Sequence, residues 1–467
     1  MTTLDVLVML VYFAVMIVIG IIGVRKAKTS DIYLLAGRNL GVLMVFGCLT
    51  AVFLGGSSTI GSAQLGYELG LAGIWFVFSM GLGITLFGLI LLKKVTGYNL
   101  MTISGLLGKL FNVESKIIGS AVAAIYTLMV SVTQVIAIGV LLSAMFDWSL
   151  TFSMLLGGGI VFFYTILGGM WSVTMTDIVQ FSIMTLGIFL VMLPISLAEA
   201  GGFSELRVQL PNTHFDVFAI GFIDIFKYLI TYTLGMMVGQ DIWQRYFTAK
   251  DTKTARTSGV LVGIYALLYS LAMVIIGMCA FIVIPNIADT QNVFTAMAYE
   301  TLPPGLLGIV FAAVAAAIMS TASGTLLASS TLISKDILKD HFFKNISDKR
   351  FLYLSRTTTL VVGIIAVLIS LWIQELLVAI DIAYAILAGS IFIPIVFGLF
   401  WKKTTPRAAF LAITISAVVV IGGLFIEGIT STNPIVYGII TNIIIIVVVS
   451  LTDKSSKNNV KEEGAIQ

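Results

Sequence analysis

Charge is what this chain lacks most. Only 10% of its 467 residues are Asp, Glu, Lys or Arg, against about 25% in soluble proteins. There are two cysteines and two histidines. Cys48 and Cys279 both sit in apolar runs, which excludes a disulfide-stapled secreted scaffold and predicts buried reduced thiols. His214 and His341 fall in polar connecting segments, so no proton relay can be built from membrane histidines. No metal-ligand cluster and no nucleophile–base constellation is legible, so the chain does not read as an enzyme. The net charge, +3, matters less than where the charges fall, and the apolar composition sets aside a soluble catalyst or a nucleic-acid binder.

Apolar residues fill the space. They make up 59% of the chain, about 276 residues, more than one or two soluble cores can bury. At about 20 residues per crossing this is material for roughly thirteen transmembrane helices. The runs read as 4–24, 41–66, 71–92, 117–146, 150–168, 173–198, 216–244, 258–285, 303–334, 351–373, 375–401, 407–426 and 433–452. The first run has no basic residue before it and is long for a signal core, so it reads as a span and not a cleavable leader. The expected fold is an all-α polytopic membrane protein forming a single transmembrane domain over 1–467.

Of the 26 Lys and Arg, 24 fall after runs one, three, seven, nine, eleven and thirteen. Opposite loops carry acids such as Glu68, Asp147, Glu199 and Asp289. By the positive-inside rule this places the N-terminus outside and the C-terminus in the cytoplasm of a multi-pass plasma-membrane protein. The tail 453–467 is polar and too short to fold alone. The segment 99–111 has near-helical apolar spacing with Lys109 and is expected along the membrane surface. The implied partners are lipid bilayer and small solutes; no obligate protein partner is evident.

Two runs are interrupted. Run two contains Gly55-Gly56-Ser57-Ser58-Thr59, poor helix propagators that favour local unwinding. Unwound backbone at membrane depth must be buried or line a cavity; close packing of small residues is the competing reading. Run seven carries Gly235 and Gly239, followed by Gln240 and Asp241. Runs two and seven each open a block of five, about 41–198 and 216–401. An odd number of spans gives the blocks opposite orientations, with one peripheral helix (4–24) before and two (407–426, 433–452) after. Glycine-interrupted spans at matching positions of inverted repeats point to a transporter's binding site.

Run nine reads Ala317-Ile318-Met319-Ser320-Thr321-Ala322-Ser323-Gly324. Ala317, Ser320, Thr321 and Gly324 share a helix face. Hydroxyls there, with carbonyls of an unwound neighbour, suit a hard cation such as Na⁺; helix packing again competes. Ionisable residues within spans are Asp177, Asp224, Lys227 and Asp381. Asp224 and Lys227, three apart, are expected to pair. Asp177 and Asp381 are candidates for function. Gln134 in run four faces either a cavity or a neighbouring helix.

On these residues the chain resembles the sodium:solute symporter family over nearly its whole length. The resemblance is carried by Ser57-Ser58-Thr59-Ile60-Gly61 with Tyr67 and Gly70-Leu71, and by Gly168-Gly169 with Thr176-Asp177 and Gln180. It extends to Gln244-Arg245 with Ala249-Lys250, Ala317–Thr321, and Gly398-Leu399-Phe400-Trp401-Lys402. It implies the five-helix inverted-repeat fold and one sodium site formed by the carbonyls of Ala51, Leu54 and Ala317 and the hydroxyls of Ser320 and Thr321. Some members hold a second sodium; here Asp177, Ser320 and Ser323 would serve it, although Gly324 stands where such members have another serine.

The expected function is Na⁺-coupled symport of an amino acid, short organic acid or vitamin-like carboxylate by alternating access. The solute is expected beside Gly55, Gly56, Ser57, Ser58, Gln64, Gln134, Gly239 and Gln240. With no arginine placed within a span, a carboxylate would rest on half-helix amides or on Lys227. Proton coupling through Asp177 keeps the fold and changes the ion. A channel or sensor changes the class, and the short tail offers a sensor no output domain.

Overall fold

The computed structural model describes residues 1–26, 39–98, 100 and 102–453, without side chains at 20, 23–26, 164 and 167–172. The basic residues Lys28, Arg38, Lys454, Lys457 and Lys461 and most of the tail lie outside the described residues. So does Asn99, and the Gly168-Gly169 motif falls outside the described side chains.

Helices dominate the chain, and no named strand occurs among the described residues. The elements used below are α1 (Thr3–Lys26), α2 (Val42–Phe53), α3 (Ser62–Leu69), α4 (Ile74–Leu86) and α5 (Ile103–Leu110). Then follow α6 (Val113–Phe146), α7 (Leu150–Leu186), α8 (Gly221–Tyr228), α9 (Gln240–Tyr246) and α10 (Thr252–Val283). The last are α11 (Leu306–Thr331), α12 (Asp348–Ile373), α13 (Leu376–Leu387), α14 (Pro406–Glu427) and α15 (Asn433–Thr452).

By length and apolar composition, nine stretches among the described residues can cross a bilayer. A tenth is a pair, Gly221–Met237 and Gln240–Tyr246, bent by 49°. Three shorter apolar helices, Thr3–Ile19, Val42–Phe53 and Leu150–Phe163, stand beside them. The runs 150–168 and 173–198, expected as separate helices, are instead joined by helical backbone that continues through a π segment to Glu199. Such a stretch, if straight, would be about 75 Å long, well beyond the roughly 30 Å of hydrocarbon. Its two ends lie at one side of the bundle. Met154 packs on Gly139 near the end of α6, and Leu193–Glu199 packs on Val293–Thr301, whose Tyr299 hydroxyl donates to the Met145 carbonyl at 3.1 Å. The chain therefore turns back within this stretch.

The centre of the molecule is α11. In the stretch Leu306–Phe342, 89% of the most apolar window is buried in protein. Its run of Ala and Gly lets α1, α2, α6 and α7 approach closely, as expected where small residues line helix contacts in lipid. The same device joins α3 to α10. A Cβ on Gly66 would fall 2.7 Å from the Val274 Cα, and one on Gly277 would fall 2.7 Å from the Tyr67 amide nitrogen.

α5, expected along the membrane surface, packs one face on protein. Ile103, Leu106 and Leu107 are fully buried, and the Leu107 side chain fills the space beside Gly119 of α6.

α11 is capped from outside its own sequence. The Asp5 carboxylate, at the start of α1, accepts from the amides of Gly305 (2.7 Å) and Gly308 (3.0 Å). It satisfies amides that a helix start leaves without partners, and its charge complements the helix dipole. Asp5→Ala should cost about 1–2 kcal/mol, read as a lower thermal midpoint of the purified protein, with Asp5→Asn losing less.

Candidate functional site

α2 stops at Phe53, and Leu54 turns away with φ −87° and ψ 67°. Helix then resumes as the π turn Ser57–Gly61. The break falls at the paired glycines that predict it. Ending a helix leaves its last carbonyls without internal amide partners, and hydroxyls stand in for two of them here, at Ala51 and Phe53. The Leu54 amide donates to the Thr50 carbonyl at 3.1 Å. The Ser58 hydroxyl donates to the Phe53 carbonyl at 2.8 Å.

The Ala51 carbonyl meets α11. It accepts from the Ser320 hydroxyl at 2.7 Å and from the Thr321 hydroxyl at 3.4 Å. The same hydroxyls reach the Ala317 carbonyl at 2.9 and 3.3 Å. Four neutral oxygens thus converge where α2 breaks beside α11, and all four residues are buried. Oxygen without sulfur or imidazole is the donor set of a hard cation. Groups of three or more His, Cys, Asp or Glu suited to a transition metal are absent among the described residues.

Just beyond, the Gly56 amide donates to Gln134 Oε1 at 2.8 Å. A Cβ on Gly55 would lie 2.5 Å from Thr321 Oγ1 and 2.6 Å from Gln134 Oε1. Gly55, Gly56, Ser57, Ser58 and Gln134 therefore do come together, with both glycines packed closely against protein atoms. Three of the expected solute contacts lie elsewhere. Gln64 sits with Asp289, Thr290, Gln291 and Glu375 around a separate hollow of about 220 Å³, donating to Glu68 and Thr290 at 3.1 Å. Gln240 accepts from the Ile103 amide at 2.8 Å. Gly239 lies against the Asp241 carboxylate and the Tyr126 hydroxyl.

The second broken helix bends between Met237 and Gln240, where Gly239 takes an extended conformation. A column of tyrosines rises from this bend. Tyr126 donates to Asp241 at 3.1 Å and approaches the Tyr384 hydroxyl at 3.2 Å. Tyr384 packs on Tyr232 with ring centroids 5.2 Å apart, and Tyr232 stacks on Tyr228 at 5.8 Å. The Tyr232 hydroxyl donates to Asp381. At the top of the column is a cavity of about 290 Å³ lined by Asp224, Lys227, Tyr228, Thr231, Tyr232 and Asp381. Asp224 and Lys227 pair at 3.3 Å, as their spacing predicts. A larger hollow of about 530 Å³ between α1 and α7 is lined, among the described residues, by apolar side chains such as Phe13, Met16, Leu155 and Ile160.

Asp177, fully buried on α7, pairs with the guanidinium of Arg245 at 3.5 Å. This corrects the expectation that no arginine enters the spans. Arg245 is 1% exposed and belongs to the interior. A hint was available in the sequence: Arg245 follows Asp241 by four residues, one helical turn.

Away from the cavity, a polar cluster ties α5, α6 and the π stretch Leu332–Phe342. Ser104 donates to the buried Asp336 at 2.6 Å. Lys116 reaches Asp336 at 3.2 Å and also bonds Asp340.

Two broken helices flanking an oxygen cluster, with a charged cavity above one of them, define a membrane transporter. Comparison with known proteins gives the family. The sodium:solute symporter family profile matches residues 33–416, and the chain belongs to that family. It is 27% identical over 464 residues to the osmoregulated proline transporter OpuE of Bacillus subtilis, covering 95% of this chain and 94% of the relative. It is 28% identical over 472 residues to the sodium/proline symporter of Staphylococcus aureus, covering 94% and 90%. In fold it superposes on a Na⁺-coupled sialic acid symporter in a substrate-bound outward-open state, with TM-score 0.83, 18% identity, and coverage of 96% and 98%. A nucleobase-cation-symport-1 family transporter in a closed conformation is more distant, with TM-score 0.59 and 14% identity. The protein is a multi-pass membrane transporter, a sodium-coupled symporter of a small solute, and not an enzyme.

Proposed function

We propose that the protein drives uptake of a small zwitterionic amino acid of the proline type with the sodium gradient across the plasma membrane. The observation that carries this reading is the cavity at the head of the tyrosine column, where Asp381 and Lys227 present opposite charges. An ammonium suits Asp381 and a carboxylate suits Lys227, while the tyrosine faces accept an apolar ring and favour a cation. Asp241 at the foot of the column offers a second acid on the way to the bend at Gly239. That two relatives carry proline in their names supports the choice of solute.

Sodium binds, in this reading, between α2 and α11, on the carbonyls of Ala51, Leu54 and Ala317 and the hydroxyls of Ser320 and Thr321. Ion binding holds the broken end of α2 against α11 and so favours one arrangement of the bundle. Coupling needs only unequal binding to the two arrangements, and it is reciprocal. The chain crosses thirteen times with its N-terminus outside, and the repeats span about 41–198 and 216–401, each opened by a broken helix. The Ser104–Asp336–Lys116 cluster then lies on the cytoplasmic side, latching it while the cavity stands open to the outside.

Reconstituted into vesicles, the protein should accumulate labelled L-proline under an inward sodium gradient and not when potassium replaces sodium. Uptake driven by a pH gradient in sodium-free buffer would select proton coupling instead.

A further inference from the structure

Asp381 is carried on a helix that cannot close its own hydrogen-bond ladder. α13 runs through the π segment Ala388–Phe392 into the helix Ile393–Phe400, with Pro394 at the junction. A helical amide serves the carbonyl four residues back, or five back in a π turn. Pro394 has no amide, so the carbonyls of Ser390 and Gly389 lose the donor that its position would supply. Both residues are buried, and inside a membrane span such freed groups must be served by neighbouring protein.

We propose that Asn442 of α15 is a positioning residue for the solute cavity: its side-chain amide supplies the donors that Pro394 cannot, and so sets the angle at which α13 presents Asp381 and Tyr384. This rests on the cavity reading above.

The Asn442 amide nitrogen donates to the Ser390 carbonyl at 2.8 Å and to the Gly389 carbonyl at 3.2 Å. It also reaches the Ser416 hydroxyl of α14 at 3.0 Å, which donates onward to the Ala412 carbonyl. Asn442 is fully buried, and its Oδ1 has no hydrogen-bond partner among the described residues. An unpaired buried acceptor is a cost, so the donor end of this side chain is what offsets it. Gly438, one turn earlier on the same face of α15, lets the two backbones meet. A Cβ there would fall 3.3 Å from the Gly389 Cα.

The contact lies a short way from the site. Tyr384 and Asp381 precede Gly389 by five and eight residues on the same stretch of helix. A tilt of about 10° at Gly389 swings Asp381 by about 2 Å, over roughly 12 Å of helical rise. That parts the carboxylate from the Tyr232 hydroxyl that donates to it and from an ammonium in the cavity.

The test is a double-mutant cycle that reads the thermal midpoint of the purified protein and the KM for L-proline uptake in vesicles. Asn442→Leu keeps the shape of the side chain and removes both N–H groups. It should lower the thermal midpoint and raise KM by about tenfold, the worth of a hydrogen bond to a charged group. The sodium requirement at saturating solute should stay near that of the wild type. Pro394→Ala restores the missing amide. The double variant should regain the wild-type thermal midpoint, because the helix now serves its own carbonyls. Its KM should stay raised, because Asn442 no longer sets the angle of α13.

A thermal midpoint unchanged by Asn442→Leu would overturn the proposal, as would an equal fall with and without Pro394. Recovery of KM together with the thermal midpoint would leave Asn442 a structural role only and overturn the positioning. Should Asn442→Leu fail to fold, the double variant decides. If it also fails to fold, the proposal is overturned; if it folds with a raised KM, the proposal stands. A wild type that takes up no L-proline is a different failure, that of the cavity reading, and the thermal cycle then reads the exchange of donors by itself.

Discussion

Ser320→Ala combined with Thr321→Ala raises the sodium concentration for half-maximal uptake by about 10- to 100-fold. Each hydroxyl lies within hydrogen-bond reach of both the Ala51 and the Ala317 carbonyls, so each is placed to complete an oxygen cage. Losing one such polar interaction costs about 0.5–1.5 kcal/mol, and tenfold in affinity is about 1.4 kcal/mol. The pair therefore removes about one to two decades of sodium affinity. Because coupling is reciprocal, the apparent affinity for solute should fall at low sodium and recover when sodium is saturating. Ser323→Ala is the control. Its hydroxyl donates within α11 to the Ser320 carbonyl and should leave the sodium requirement near that of the wild type. An unchanged sodium curve in the double variant would remove these side chains from the site.

Much of this arrangement is legible before folding because backbone chemistry is local. Gly55-Gly56 followed by hydroxyl residues weakens a helix wherever it occurs, and α2 breaks there. Gly239 marks the bend of the second broken helix for the same reason. The hydroxyl pair on α11 is legible because residues three and four apart share a face.

Depth and convergence are not local, and there the reading of the sequence departs from the structure. Gln64 follows the Gly55 break by nine residues, about 13 Å of rise along a helix, and so belongs to a different level of the bundle. Gly239 and Gln240 belong to the other broken helix, level with Tyr126 and Ile103. Arg245 stands at the end of an apolar run and reads as one of a basic cluster; only the fold turns it inward onto Asp177. The four tyrosines of the column come from α6, α8, the π turn Leu229–Thr233 and α13. Among 15 tyrosines, nothing but their three-dimensional meeting singles them out.

The tyrosine column makes Asp381 the residue whose loss should hurt solute binding most. Asp381→Ala should raise the KM for L-proline about 30- to 700-fold while leaving the sodium requirement at saturating solute close to that of the wild type. The magnitude follows from geometry. The Asp381 carboxylate faces the cavity, and one oxygen is occupied by the Tyr232 hydroxyl, which leaves the other for an ammonium. Truncating one partner of a partly desolvated charge pair costs about 2–4 kcal/mol, and each 1.4 kcal/mol is tenfold. Tyr232→Phe removes only the orienting hydrogen bond and should cost about tenfold or less. Asp381→Glu, which keeps the charge on a longer arm, should fall between Tyr232→Phe and Asp381→Ala. A purely structural role for Asp381 predicts another pattern: equal losses of solute affinity, sodium affinity and thermal midpoint, with no rescue by glutamate. Selective loss of solute affinity, graded by charge, is the signature of a carboxylate that holds the cationic end of the cargo.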